Sequence, residues 1–332
     1  MEFEKRRVGR TDLELTTLGL GGATLAGNLA HLTDADSKIL ILQAYDAGIR
    51  YFDTAPFYGY GRSERLMGDE LRGLDDWILS SKVGRRLRPV KEAQDVNDAW
   101  RRPLPFEPYF DYSYDGVMRS YEDSLQRLGL NRIDILYIHD PDTFTHGVDV
   151  QPEMHARAMD GARRALEELR RTGEVKAIGL GVNEAKPIAD ALEHAQWDCF
   201  LLAGRYTLLE QDPLDTLLPA VEAHGASIVI GGPFNSGVLV GRETWNYVDA
   251  PPEIMTRVKE LARVCDAHNV PLAAAALKFP LAHPAVASTI PGPRSAEELE
   301  QILEWWQLEI PGSLWSDLKN EKLIPENAPV PV

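Results

Sequence analysis

The feature that most constrains this chain is a rhythm. Short apolar runs, each closing in polar or glycine residues, alternate with amphipathic stretches from residue 17 to about residue 306. The apolar runs are Thr17–Leu20, Ile49–Phe52, Ile78–Val83, Ile133–Ile138, Ala177–Val182, Asp198–Ala203, Ser227–Ile230 and Val286–Ile290. Between them lie helical patterns with recognisable stops. A helix opening at Thr33-Asp34 ends at Gly48, Tyr114–Leu128 is closed by Gly129, Met159–Arg171 ends at Gly173, and the helix from Asp215 to His224 ends at Gly225. Ser63–Leu71, Ala185–Ala195, Glu253–His268, Leu272–Leu281 and a last helix capped by Ser295 complete the series. Near-continuous apolar strands separated by helices imply a parallel sheet covered on both faces. Eight of them imply closure into a (β/α)₈ TIM barrel. The alternative is a doubly wound open sheet, but no Gly-x-Gly-x-x-Gly follows the first strand with an acid about 20 residues later.

There is no linker or shift of composition, so residues 1–332 read as a single barrel domain with additions at both ends. An N-terminal hairpin is expected from Lys5–Gly9 and Leu13–Leu15 around Arg10-Thr11-Asp12, and a C-terminal extension follows the last helix. Residues 84–112, rich in Pro, Arg and aromatics, read as one long loop of the functional kind.

Charge narrows the partners. A net charge of −16 and a pI near 5.0 argue against nucleic acid and against an anionic membrane surface. Two cysteines, Cys199 and Cys265, form neither a disulfide framework nor metal-ligand spacing, and no metal is expected. With no apolar run long enough to cross a bilayer and no signal-like start, a cytoplasmic protein acting on a small molecule is expected.

In such a barrel the active site lies at the C-terminal ends of the strands. Those ends carry Gly21 and Gly22, Asp53 with Tyr58 just beyond it, Lys82, His139 and Asp140, Asn183, Ala203 to Tyr206, Gly231 to Gly237, and Gly292 to Ser295. Read alone, Asp53 with Lys82 fits a structural ion pair, Tyr58 a packed surface aromatic and His139 a satisfied buried histidine. At three successive strand ends they make a proton-transfer group instead. A phenol of pKa about 10 is a poor acid or base at neutral pH. A nearby Lys82 ammonium, held by Asp53, is expected to lower that pKa, and His139 to orient the reacting oxygen.

Gly48-Ile49-Arg50-Tyr51-Phe52-Asp53-Thr54-Ala55 with Tyr58-Gly59, Ser124–Leu130 through Ile133-Asp134 to His139, and Leu166–Leu169 followed by Gly173–Gly179 carry a resemblance over about residues 5 to 305. The chain resembles the aldo-keto reductases. The resemblance implies a (β/α)₈ barrel binding a nicotinamide cofactor without a Rossmann fold. It makes Tyr58 the general acid/base, with Lys82 and Asp53 tuning it and His139 orienting substrate.

It also implies that Gly21 and Gly22 lie near the nicotinamide ribose and that Asn183 holds the carboxamide. Phe234, Ser236, Gly237 and Leu239 match the loop wrapping the pyrophosphate. Gly292, Arg294, Ser295, Glu298 and Gln301 match the adenosine end. Two departures stand out: Ala203 replaces a common glutamine on the sixth strand, and Gly231 replaces an aromatic that often stacks on nicotinamide. Glu298, an acid where a 2′-phosphate ligand is usual, favours NAD, with NADP as the alternative suggested by Arg294.

Within the family, Gly21–Leu29, Leu202–Gln211 and Gly231–Gly237 are similar to the branch that oxidises aldoses such as L-fucose, D-arabinose or L-galactose at the anomeric carbon, and to a pyridoxal-oxidising branch. The first implies an aldose 1-dehydrogenase forming a lactone, the second a 4-pyridoxolactone former. Substrate contacts are expected from Phe57, Asp140, Phe110 and Tyr112, with the Arg85-Arg86 pair suiting a polyhydroxylated ligand. The Trp305-Trp306 pair is expected to serve helix packing. A metal-dependent hydrolase using Asp53, His139 and Asp140 would be another class, but no His-x-His marks the first strand. A non-catalytic barrel sensing nicotinamide is a third class.

Overall fold

A computed structural model describes residues 1–91 and 100–331. Eight parallel strands make one sheet in the order β8-β7-β6-β5-β4-β3-β2-β1. They are β1 (Leu20–Gly21), β2 (Tyr51–Asp53), β3 (Ile78–Val83), β4 (Ile135–His139), β5 (Ala177–Val182), β6 (Cys199–Ala203), β7 (Ser227–Gly231) and β8 (Val286–Ile290). The circle closes through a parallel bridge of Leu18 to Thr289 and through backbone bonds from Gly19 N to Thr289 O and from Thr289 N to Thr17 O, both 2.9 Å. The helices on the outside are α1 (Asp34–Asp46), α2 (Arg62–Leu71), α3 (Tyr114–Leu128), α4 (Arg163–Thr172), α5 (Ala185–Ala191), α6 (Leu217–His224), α7 (Leu272–Lys278) and α8 (Ala296–Gln307). The barrel expected from the rhythm of the sequence is the barrel observed.

The period of two along each strand decides what reaches the mouth. Tyr51, Ile135, Tyr137, Cys199, Leu201 and Val229 point inward and pack as one cluster, whereas Phe52, Leu136, Ile138, Phe200, Leu202 and Ile228 point outward against the helices. Counting on by twos puts Asp53 and His139 on the inward face at the ends of their strands. The N-terminal hairpin, Lys5–Arg7 paired with Glu14–Thr16, plugs the opposite end by adding Val8, Leu13 and Leu15 to the inner cluster.

Local signals fix the helices around this sheet. Thr33 and Asp36 form a reciprocal capping box on α1, and Ser113 caps α3, which Gly129 ends at φ 60°. Gly68 lets α2 meet the end of α3, since a Cβ there would lie 1.9 Å from the Leu128 carbonyl oxygen.

Three expectations are corrected. The segment 84–112 is not one loop: Arg85–Pro89 and Phe106–Phe110 pair as an antiparallel hairpin, and residues 92–99 of that segment lie outside the described residues. The helix expected from Met159 begins earlier, because Gln151–Arg157 runs through a π-turn at Ala158–Ala162 into α4. The helix placed at Leu272–Leu281 stops at Lys278 and tightens to 3₁₀ over Phe279–Ala282, where Pro280 has no N–H to continue it. Beyond α8, Gly312–Asn320 forms a helix of the C-terminal extension. Among the described residues no helix is long and apolar enough to cross a membrane.

Candidate active site

Asp53, Lys82, Tyr58 and His139 meet at the mouth of the barrel. Lys82 Nζ donates to both oxygens of Asp53, at 2.9 and 2.7 Å, and to Thr54 O at 2.9 Å, with both side chains almost wholly buried. A buried pair persists only when its remaining hydrogen-bonding capacity is met. Here Ser80 Oγ donates to Asp53 Oδ1 at 2.6 Å, and Tyr51 OH lies 3.0 Å from Ser80 Oγ. Burial pushes the Asp53 carboxyl up, while the charge and hydrogen bonds of Lys82 and the Ser80 hydroxyl pull it back.

Tyr58 lies across Lys82, whose Nζ is 4.7 Å from the ring centre, and the rings of Trp100 and His139 flank it at 5.7 and 6.0 Å. The expected lowering of its pKa is not what this environment gives. Burial, then the negative charge of Asp53, hold the phenol well above its ordinary value, with Arg85 opposing. The ammonium spends its hydrogen bonds on Asp53 and Thr54, so the structure presents Tyr58 as a protonated phenol. His139 is held well below its usual value by burial and by Arg85 and Lys82, hence neutral. Its Nε2 is 3.3 Å from Asp140 Oδ2.

Asp140 closes the group. Arg85 Nη2 reaches its Oδ2 at 2.5 Å, and Asn183 Nδ2 donates to Oδ1 at 3.1 Å. Its carboxyl is pushed up to about 6, chiefly by burial. The Arg85 guanidinium is wedged between Phe57 and Phe110, 4.0 and 5.0 Å from the ring centres. In the sequence Arg85 is only half of a basic pair, and its pairing with Asp140 is a product of the fold. Tyr112 sits deeper than a pocket wall. Buried beneath the hairpin, it donates its hydroxyl to His139 O at 2.7 Å and stacks on Phe110.

A cleft runs from Tyr58 toward α8. Its inner part is lined by Gly21, Gly22, Asp53, Tyr58, Ala203, Gly231, Phe234, Ser236, Gly237 and Tyr247. Phe234, Arg242, Gly292 and Arg294 continue into an outer part with Leu239, Glu298, Gln301 and Trp305. Trp305 thus has a face on the cleft as well as an edge-to-face contact with Phe234 at 6.0 Å, which corrects the expectation of helix packing alone; Trp306 packs on Phe3. Gly22 is required where it is, because a Cβ would come within 2.6 Å of Asp53 O. Ser295 caps α8 and accepts from Glu298 N. Glu298 receives Arg242 Nη2 at 2.6 Å and Arg294 Nε at 3.4 Å. Asn183 lies beside the inner part, its amide already donating to Asp140 and Asp142. An elongated cleft floored by glycines and flanked by two arginines fits a dinucleotide with a charged pyrophosphate.

The sequence profile described as the Aldo/keto reductase family matches residues 17–320. The chain is an aldo/keto reductase. Among its relatives are a pyridoxal 4-dehydrogenase of Microbacterium luteolum, 47% identical over 97% of this chain and 98% of that one, and a D-threo-aldose 1-dehydrogenase of a Pseudomonas species, 38% identical over 94% and 96%. A solved aldo-keto reductase of Bacillus halodurans in its holo form shares the fold at a TM-score of 0.75, with 24% identity over 99% of this chain and 98% of the other. An aldo/keto reductase uses NAD(P)H, and this one is an NAD(P)-dependent oxidoreductase. Among the described residues no three His, Cys, Asp or Glu side chains converge to hold a metal.

Tyr247 was missed by sequence reasoning. It lies in the inner cleft, in the turn of a hairpin whose strands are two residues each, Thr244–Trp245 and Val248–Asp249. The only signal was a polar Asn246 between aromatic neighbours.

Proposed function

We propose that this aldo/keto reductase oxidises a small cyclic hemiacetal to the lactone, with Tyr58 as general acid/base and His139 orienting the reacting oxygen. The observation that carries the reading is the convergence of Asp53, Lys82, Tyr58 and His139 at the inner end of the cleft. Nicotinamide, when bound, would supply the acceptor for the hydride of the hemiacetal carbon. The protein's own residues handle the proton: once the Tyr58 phenol has given up its own proton to solvent, the hemiacetal hydroxyl hydrogen passes to the phenolate oxygen, the neutral His139 ring steadies the reacting oxygen, and the carbon–oxygen bond becomes the lactone carbonyl. In the reverse direction the protonated phenol is the acid.

Gly21, Gly22 and Asn183 would hold the nicotinamide end. Phe234, Ser236, Gly237 and Leu239 would follow the pyrophosphate, and Gly292, Arg294, Ser295, Glu298 and Gln301 the adenosine. NAD is favoured over NADP, because the Glu298 carboxylate occupies Arg242 and Arg294, the two cations beside the outer cleft. Phe57, Phe110 and Asp140 would meet substrate, with Tyr112 positioning His139.

Two substrates fit the class. An aldose such as L-fucose, D-arabinose or L-galactose suits the polar pair Arg85–Asp140. Pyridoxal, a flat cyclic hemiacetal with an acidic ring hydroxyl, suits the aromatic faces of Phe57, Trp100 and Phe110 around Arg85, and the 47% identical relative carries that activity in its name. The test is NADH formation from NAD with these sugars and pyridoxal in parallel. No reduction of NAD or NADP by any of them would sink the proposal, and the preferred substrate separates the two readings.

A further inference from the structure

Strands β6 and β7 end in Ala203 and Gly231, which put almost no side chain into the cleft. The wall they leave low is raised from the hairpin Thr244–Trp245/Val248–Asp249. Both residues of its turn have positive φ, 48° at Asn246 and 67° at Tyr247. Consecutive positive φ values match the twist of a two-stranded ribbon, but a tyrosine there costs about 1–2 kcal/mol, so its surroundings must hold it. Three bonds do so. Tyr247 N donates to Ser236 Oγ at 3.1 Å, Arg205 Nη1 to Asn246 Oδ1 at 2.8 Å, and Trp245 Nε1 to Glu210 Oε2 at 3.2 Å. Arg205 and Glu210 belong to the segment after β6, so the hairpin is tied down onto the bare end of that strand.

Held there, Tyr247 lines the same inner cleft as Tyr58, Ala203 and Gly231. Burial, then Asp140, pushes its phenol up to about 12, so the hydroxyl stays protonated and able to donate. The Tyr247 ring meets Phe144, with centres 6.2 Å apart. Phe144 is carried by the short helix Thr143–His146 after β4 and is 50% exposed. Two aromatics from the loops after β4 and β7 thus meet above the strands between them, and both line a small cavity with Asn183 and Ala203.

We propose that Phe144 and Tyr247 form a gate over the ends of β5 and β6, and that the Tyr247 hydroxyl binds an oxygen substituent of a substrate ring held over Tyr58. This deepens the hemiacetal reading and rests on it. It assigns the substrate as a single small ring bearing a hydroxyl or oxo group near the reacting carbon. A substrate with a second ring meets the gate.

The test uses Tyr247→Phe, Tyr247→Ala and Phe144→Ala in the full chain, with L-fucose, pyridoxal and a reducing disaccharide as substrates. Loss of one hydrogen bond in Tyr247→Phe should raise KM about 2- to 10-fold, with a much smaller change in kcat and an unchanged Kd for NADH. Both alanine variants should gain disaccharide oxidation relative to the single-ring substrates. Calorimetry of L-fuconolactone and 4-pyridoxolactone binding to NADH-loaded protein gives a readout separate from the oxidation rate, and Tyr247→Phe should weaken the better-bound lactone by the same factor. An unchanged KM and unchanged lactone binding in Tyr247→Phe, or an unchanged ring-size preference in both alanine variants, overturns the gate. If the wild type oxidises no hemiacetal but lactone binding still weakens in Tyr247→Phe, the gate stands and the dehydrogenase reading falls. If the wild type binds neither lactone, the gate falls.

Discussion

Lys82 holds its ammonium over the face of the Tyr58 ring, 4.7 Å from its centre, while directing its hydrogen bonds to Asp53 and Thr54. Its charge therefore fixes where the phenol stands more than it draws off the phenolic proton. Burial wins at Tyr58, and the hydroxyl is kept protonated at neutral pH.

Tyr58→Phe keeps this geometry and removes the proton. Turnover should fall by about 10²- to 10⁴-fold with NADH affinity largely kept, as read by steady-state kinetics beside fluorescence titration. Because the wild-type phenol is raised, hemiacetal oxidation should keep climbing with pH well above neutrality. A plateau already reached at neutral pH would show that the phenol is not held up as the site implies.

Breaking the Asp53–Lys82 pair from one side leaves an unpaired buried charge. Lys82→Met should cost about 3–5 kcal/mol of folding stability in urea denaturation, and Asp53→Asn combined with Lys82→Met should recover part of that loss. Equal instability in the single and double variants would mean that packing, not the stranded carboxylate, is what the lysine supplies.

Asp140 ought to set the acid limb of activity. Its carboxyl titrates at about 6 in the fold, and protonation there weakens its hold on Arg85 and on His139. The value of kcat/KM should drop as pH falls through about 6, and Asp140→Asn should flatten that limb. The stability sign runs the other way. With the folded pKa above the unfolded value of about 3.9, this group's contribution is fully present below the unfolded pKa and is lost as pH rises through the folded one. Stability measured against Asp140→Asn should therefore decline over that window.

Glu298→Arg replaces the acid that occupies Arg242 and Arg294. The ratio of NADP to NAD affinity should rise by about tenfold or more, checked by titration of both nucleotides. An unchanged ratio would remove Glu298 from nucleotide selection.

The barrel was legible because its evidence is periodic. Inward Tyr51 and Asp53 and inward Tyr137 and His139 follow from counting by twos, so the strand ends that bear the chemistry could be named from order alone. Distance in sequence hid the rest. Arg85 is paired with Asp140 by a hairpin whose Pro- and Arg-rich strands lack the alternation that marks a half-buried strand. Tyr247 is delivered by strands two residues long, too short for any period to show. The direction of the Tyr58 shift is not legible in the sequence, because order brings Lys82 near but says nothing of which atoms its hydrogens reach.

The closure of the barrel joins Thr17–Gly19 to Thr289, and the cleft-lining segments Gly21-Gly22 and Gly292–Arg294 follow directly on that join. The first and last strands to leave the ribosome must meet before the cleft is complete. A nascent chain lacking its final 47 residues, from Val286 onward, would carry Asp53, Tyr58, Lys82 and His139 in full, yet lack β8 and the Gly292–Arg294 side of the cleft. The end of synthesis and the completion of the cleft thereby coincide at one seam.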